Sequence, residues 1–251
     1  MKKMIFDILT LFPEIFQSPL KHSILGKACE EGLFKVNTIN IRDYAEGKHR
    51  VTDDYPYGGG KGMIMKPEPI IKGIKTIKAG DPDAWVILMT PQGVSLRHEV
   101  VKRLAQLSHF VLICGRYEGV DERVRSFVDE EISIGDFVLT GGELAALVVI
   151  DTISRLIPGV LGSEGASEDD SFSQGLLEYP QYTRPGEFEG RRVPEILLSG
   201  DHKVIEKWRR REALRRTLQR RPELLTRVNL SDEDRKIIEE LKEGKENRGP
   251  F

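Results

Sequence analysis

The chain predicts an α/β protein, a parallel sheet covered by helices, followed by a smaller and mainly helical region. Three observations support this. Through roughly the first 160 residues, short apolar or β-branched runs alternate with segments of helical spacing, as strands joined by crossover helices do. Two of those runs, residues 110–114 and 132–134, end in glycine-bearing turns, GRYEG at 115–119 and GDFVLTGG at 135–142. Past residue 160 the composition changes, first to a small, acidic stretch and then to arginine-rich helical sequence.

Taken in order, residues 5–11 and 34–41 predict strands, with a helix around 23–31 between them. Residues 42–65 are too polar and glycine-rich for a core element and predict a long ordered loop, a kind usually tied to function. Ile70, Ile71, Ile74 and Ile77 place apolar side chains on one face of a helix over 66–78. Residues 85–89 predict a compact strand ending at Thr-Pro-Gln-Gly, and SLRHEVVKRLAQL a helix with Ser95 as its N-cap. The strands at 110–114 and 132–134 are expected beside each other, their turns forming one ligand-holding edge as at the carboxyl ends of strands in open α/β sheets. A helix from 142 to about 156 stops at Pro158-Gly159. Residues 161–175, LGSEGASEDDSFSQG, lack an apolar face and read as a flexible linker. An extended proline-containing stretch and two helices follow, the second opened by Ser231 with acidic residues in its first turn. The expected organisation is a first domain over 1–160, the linker 161–175, and a helical domain over 176–251.

With 39% hydrophobic and 31% charged residues, the chain can bury a sizeable core. Its net charge of -2 conceals a basic block, since residues 203–227 hold ten Lys or Arg against three Glu. Cys29 and Cys114 have no CxxC spacing, which favours reduced thiols in a cytoplasmic protein. The opening MKKMIFDILTLFPEIF is interrupted by Asp7 and Pro13 and predicts a strand rather than a signal peptide. The apolar segment 144–157 is broken by Asp151 and Arg155, too short and too polar to span a bilayer, so no membrane association is expected.

Arginine forks match phosphate geometry, which makes Arg209, Arg210, Arg211, Arg215 and Arg216 candidate nucleic-acid ligands, with a solvated helix face as the alternative. Taken alone, Glu168, Asp169 and Asp170 read as solubilising charges and Arg155 as a helix C-terminal cation. GGGKG at 58–62 approaches a phosphate loop but lacks Ser or Thr after the lysine, and neither glycine turn spells a dinucleotide fingerprint. The five histidines have no ligand spacing with one another or with the cysteines, so no structural metal is expected.

Together with LTLFPEIF, DDYPYGGGKGM, TPQG, CGRYEGVDERV, SIGDFVLTGGELA, IPGVLG, EDDSF, LLEYPQYTRP and KWRRREALRRTLQRRPELL, these residues carry a resemblance over nearly the whole chain. It is to the bacterial tRNA (guanine-N1)-methyltransferases of the SPOUT class. Ala145 and Phe137 depart locally, where some relatives carry proline and tyrosine. The resemblance implies a deep trefoil knot toward the C-terminal side of the first domain, a topology that general connection rules exclude. It also implies homodimers with active sites at the subunit interface, and methyl transfer from S-adenosyl-L-methionine to N1 of guanosine 37 in tRNA. Donor contacts are implied at Leu88, Pro91, Gly115, Tyr117, Glu118, Ile134, Gly135, Asp136, Phe137, Val138, Leu139, Gly141 and Gly142. Asp170 is implied as general base with Arg155 as its basic partner, and the arginine-rich helices as the grip on tRNA, the linker ordering when substrate arrives.

The chemistry asks for such residues. N1 carries a proton that must leave before the nitrogen can attack, and an ordinary aspartate near pKa 3.9 is too weak a base to take it unaided. A cation near O6 would stabilise the charge that develops, a task for Arg155 or for a bound Mg²⁺. A related enzyme acting at another RNA position and a non-catalytic RNA-binding factor are the competing classes.

Overall fold

A computed structural model describes residues 3–162, 165, 167 and 169–244, and Glu168 lies outside them. The chain divides into two compact units, 1–164 and 165–251. In chain order the first contains β1 (Met4–Thr10), α1 (Ser23–Glu30), β2 (Phe34–Asn40), β3 (Asp53–Asp54), β4 (Ile64–Met65), α2 (Pro67–Gly80), β5 (Trp85–Ser95), α3 (His98–Leu104), β6 (His109–Cys114), β7 (Glu130–Ser133) and α4 (Glu143–Ser154). Five of the strands form an all-parallel sheet in the order β2-β1-β6-β5-β7.

Successive side chains of a strand point to opposite faces. Phe6, Ile8, Ile87, Phe110 and Leu112 pack on one side with Ala146, Val149, Ile150 and Ile153 of α4. Leu9, Val86, Leu88, Val111 and Ile113 pack on the other with Ile70 and Ile74 of α2. Burial on both faces is why these strands read as nearly unbroken apolar runs. Phe6 stacks on Phe110 with ring centroids 5.1 Å apart, at the centre of the sheet.

Two expectations are corrected. The strands at 110–114 and 132–134 are not neighbours, because β5 lies between β6 and β7; crossovers set strand order, and local periodicity does not record it. Ser95 is no helix cap. It ends β5 and pairs with Ser133, while α3 starts at His98 with Arg97 at its N-cap position. The strand was underread because its ladder is interrupted: Met89 and Val94 both face Ile132, and residues 90–93 bulge out between them. Such bulges commonly re-aim side chains beside binding sites. Gly93 closes this one, since a Cβ there would lie 2.4 Å from the main chain of Glu131 and Ile132.

The second unit holds the short hairpin β8 (Glu187–Phe188) and β9 (Arg191–Arg192), then α5 (His202–Arg220) and α6 (Asp232–Lys242). Leu176, Ala213, Leu214 and Ile238 form its core, flanked by Tyr179, Leu225 and Val228. Ser231 caps α6 in a reciprocal box with Asp234, satisfying helix N–H groups that would otherwise have no partner. The stretch after residue 168 is folded rather than featureless. The Phe172 N–H donates to the Leu176 carbonyl at 2.7 Å, the Glu178 N–H to Ser171 Oγ at 3.0 Å, and the Leu177 N–H to Thr217 Oγ1 of α5 at 2.9 Å. Among the described residues, no helix is long and apolar enough to cross a membrane.

Candidate active site

The bulge of β5 and the loops that follow β6 and β7 enclose a cavity of about 500 Å³, within the range of roughly 300–1,000 Å³ usual for small-ligand sites. All the donor-contact residues implied by the resemblance line it except Asp136, which sits between two that do. Thr90 and Gln92 line it as well, from the same TPQG motif that supplied Pro91. Glu122, inside the CGRYEGVDERV motif but not expected as a donor contact, and Arg125, just past that motif, also reach it from a 3₁₀ turn at Glu122–Phe127. Only tertiary packing brings that turn to the cavity.

Glycine is required at two points of the wall. Gly142 donates its N–H to the Gly115 carbonyl at 2.9 Å, and a Cβ on it would lie 2.8 Å from Cys114 Cα. The loops after β6 and β7 are thereby joined main chain to main chain. Gly135 takes φ 150°, a backbone that side chains rarely adopt, and its N–H is held by Ser133 Oγ at 3.2 Å. Tyr117 adopts φ 59° although it is not glycine, and strain of this kind tends to collect at functional sites.

A charge network ties these loops to the sheet. Glu143, only 1% exposed at the first position of α4, accepts from Thr10 Oγ1 at 2.8 Å and from Arg116 Nε at 3.2 Å. Arg116 also donates to the Thr140 carbonyl at 3.2 Å and lies over the Phe12 ring at 4.5 Å. A buried carboxylate needs such partners, and the helix N-terminus favours its charge further. Burial, with Glu143 adding to it, pushes the neighbouring Cys114 thiol well up, so this cysteine is an inert core residue.

The cavity is lined by apolar residues such as Leu88, Ile134 and Leu139 together with polar ones such as Gln92 and Glu118. A Cβ on Gly119 would meet nothing within 4 Å, so the backbone there faces open space. Beside it, the 115–119 turn carries the loop preceding α2: the Glu118 N–H donates to the Met63 carbonyl at 3.0 Å and the Met65 N–H to the Gly119 carbonyl at 2.9 Å. Tyr57, near the tip of that loop, is fully exposed.

Arg155 is the half-buried C-cap of α4, its N–H donating to the Asp151 carbonyl at 3.2 Å. Asp170 belongs to the second unit, half-buried, in a cavity of about 290 Å³ that it shares with Asp169, Tyr179, Arg209 and Arg210. The candidate RNA-binding arginines of α5 already have partners within that unit. Arg210 forks onto Asp234 at 2.9 and 2.8 Å, Arg211 reaches Glu240 at 2.7 Å, and Arg215 pairs with Glu212. Arg216 donates to the Glu178 carbonyl at 3.3 Å, and Arg209 lies over the Tyr179 ring at 4.9 Å. Among the described residues, no three His, Cys, Asp or Glu side chains converge as a metal site.

Comparison with known proteins matches residues 4–227 to the family described as tRNA (Guanine-1)-methyltransferase TrmD. A tRNA (guanine-N(1)-)-methyltransferase of Geotalea uraniireducens is 60% identical over 237 residues, covering 94% of this chain and 96% of that protein. Proteins of the same name from Syntrophotalea carbinolica and Dictyoglomus turgidum are 56% and 52% identical, covering 95% and 94% of this chain and 96% of each relative. The family match spans both the loops of the cavity and all of α5, so the chain as a whole belongs to the tRNA (guanine-1)-methyltransferase family.

Proposed function

We propose that this chain methylates N1 of guanosine 37 in tRNA, with S-adenosyl-L-methionine held in the 500 Å³ cavity, Asp170 as general base and Arg155 stabilising the charge that develops on the base. Membership of the family makes the chain a transferase, a tRNA (guanine-N1)-methyltransferase. The observation that carries the finer reading is the cavity itself, built at the carboxyl ends of parallel strands from the residues that the family resemblance implies as donor contacts.

When bound, the donor supplies an electrophilic methyl group on a sulfonium. The chain's own groups do the rest. The main chain at 115–119 and 134–142 holds and orients the donor, because groups fixed by the fold need no reorganisation at reaction. Asp170 takes the N1 proton as the N1–methyl bond forms and the sulfur–methyl bond breaks, leaving a neutral thioether and a protonated carboxyl. Arg155 supplies positive charge toward O6 while N1 loses its proton. The charge-stabilising role beside O6 that Arg155 takes is also open to a bound Mg²⁺, which commonly binds through one or two carboxylates and substrate oxygens.

The rest of the reading follows the family. The first domain is knotted and spans 1–160, residues 161–175 link it to 176–251, which grips the tRNA, and the enzyme works as a homodimer in the cytoplasm. Leu144 and Val148 support the dimer: they are 55% and 39% exposed on a helix whose other face is core, and a second copy would cover them.

Asp170→Asn is the direct test. Donor affinity by calorimetry should be unchanged while single-turnover transfer falls at least about a hundredfold; transfer near the wild-type rate removes Asp170 from this role. Mass spectrometry of tRNA treated with labelled donor reads the modified base and its position, and a label elsewhere than guanosine 37 overturns that assignment.

A further inference from the structure

The bulge of β5 beside the cavity is held by a side chain that the methylation chemistry above does not use. Because Met89 and Val94 both face Ile132, residues 90–93 drop out of the β5–β7 ladder and lose the regular pairing that fixes the rest of the strand. Within the bulge, the Gln92 N–H donates to Thr90 Oγ1 at 3.3 Å. From outside it, Arg125 Nη2 donates to Gln92 Oε1 at 2.7 Å. The other donors of the same fork are also engaged: Nε gives to Glu122 Oε2 at 2.9 Å, and Nη1 to Glu131 of β7. The 3₁₀ turn that carries Arg125 is itself anchored, since Asp121 Oδ1 accepts from the Arg123 N–H at 2.9 Å and Val124 is buried in the core on the α2 side of the sheet.

We propose that Arg125 is a positioning residue for the methyl donor: its guanidinium ties Gln92 to Glu122 and Glu131 and so holds the bulge of β5 in the shape that completes the cavity. The proposal rests on the reading that the donor occupies this cavity. Thr90, Pro91 and Gln92 all line it, so the wall on this side is built from the part of the strand that the ladder does not fix. A wall free to move would have to be ordered when ligand binds, and that ordering subtracts from affinity. Three donors in a rigid fork suit three fixed acceptors, which a lysine ammonium on a flexible stem does not. The charge of Arg125 is already balanced by two carboxylates of the protein, so what it lends the cavity is shape rather than field.

The test uses full-length variants. Calorimetry measures affinity for S-adenosyl-L-methionine and for its demethylated product, S-adenosyl-L-homocysteine, and single-turnover transfer is measured at saturating donor and tRNA. Arg125→Ala should weaken both affinities about tenfold and by equal factors, while transfer at saturation stays within about threefold of wild type. The Gln92 and Gly93 amides should exchange about tenfold faster or more, with those of 85–89 unchanged, whereas general loss of stability would speed both sets. Arg125→Lys should resemble Arg125→Ala, because charge without the fork does not hold the bulge. Gln92→Leu removes the acceptor and leaves the ion pairs of Arg125 in place, so it reads the same tie even if Arg125→Ala folds poorly. The double variant Arg125→Ala/Gln92→Leu should bind the donor no more weakly than the weaker single one, since both remove one interaction.

Wild-type donor affinity in Arg125→Ala, or additive losses in the double variant, would overturn the proposal. So would recovery by Arg125→Lys, or a larger change for the sulfonium than for the thioether, because either would make charge and not shape the contribution of Arg125. Gly142→Ala, run alongside, separates the two readings. If it binds donor as the wild type does, the cavity reading fails and this inference with it; if it loses affinity while Arg125→Ala keeps it, only the role of Arg125 is wrong.

Discussion

At the scale of single residues, Asp234 and Arg210 show how far a charge pair can commit a side chain. Asp234 is 4% exposed, and the hydrogen bonds from Arg210 hold its carboxyl down at about 2 from an ordinary 3.8. A folded-state pKa below the unfolded one stabilises the fold above the unfolded value, and that contribution fades as pH falls through the folded value. The shift corresponds to about 2 kcal/mol, to be lost between roughly pH 4 and pH 2. Thermal melting of the carboxyl-terminal unit within the full chain should follow that window, and Asp234→Asn should flatten the dependence. A midpoint indifferent to pH there would refute the linkage. Arg210→Ala should cost about 3 kcal/mol or more, since it strands a buried carboxylate. Loss of tRNA binding by that variant would then report unfolding, and Arg211, Arg215 and Arg216 are cleaner probes of phosphate binding.

At the scale of elements, the contact between the 115–119 turn and the start of α4 decides whether the cavity closes. Gly142→Ala would press a methyl group against Cys114 Cα at 2.8 Å and the Gly115 nitrogen at 3.1 Å, both main chain with little room to give. Overpacking of this sort costs about 1–3 kcal/mol, so donor affinity should weaken about tenfold or more while the far-ultraviolet spectrum of the fold persists. Unchanged affinity would place the donor elsewhere. Much of this arrangement was legible beforehand. The isoleucines of α2, the glycine turns, and the cap that Ser231 makes for α6 with Asp234 all announce themselves locally, because period and capping chemistry are properties of neighbouring residues. What escaped was set at a distance. Strand order depends on crossovers, and β5 looked finished at Met89 because its ladder resumes only at Val94. Glu122 and Arg125 reach the cavity from a turn that begins at the end of the CGRYEGVDERV motif, where nothing local marks a contact with the bulge of β5.

At the scale of the whole molecule, a net charge of -2 carries a strongly basic helix, so binding to a polyanion depends on local charge rather than the total. Affinity for tRNA should fall steeply with salt, and replacing Arg211, Arg215 and Arg216 by alanine should shallow the slope of log K against log salt by about 0.7–0.9 for each phosphate no longer neutralised. An identical slope would leave those side chains facing solvent or their internal partners. Leu144→Asp should shift the chain toward monomer in sedimentation, and a wild-type protein already monomeric at micromolar concentration would sink the dimer reading. The buried Glu143 has a bearing on all of this. Because Thr10, Arg116 and Glu143 are already engaged, the entropic cost of shaping the cradle is incurred when the chain folds and not when a ligand arrives. Amide exchange in β1 and β6 should therefore hardly change on adding S-adenosyl-L-methionine. With the cradle already built, any reshaping during turnover is expected on the tRNA side, and amide exchange that changes on adding tRNA but not on adding the donor would show it.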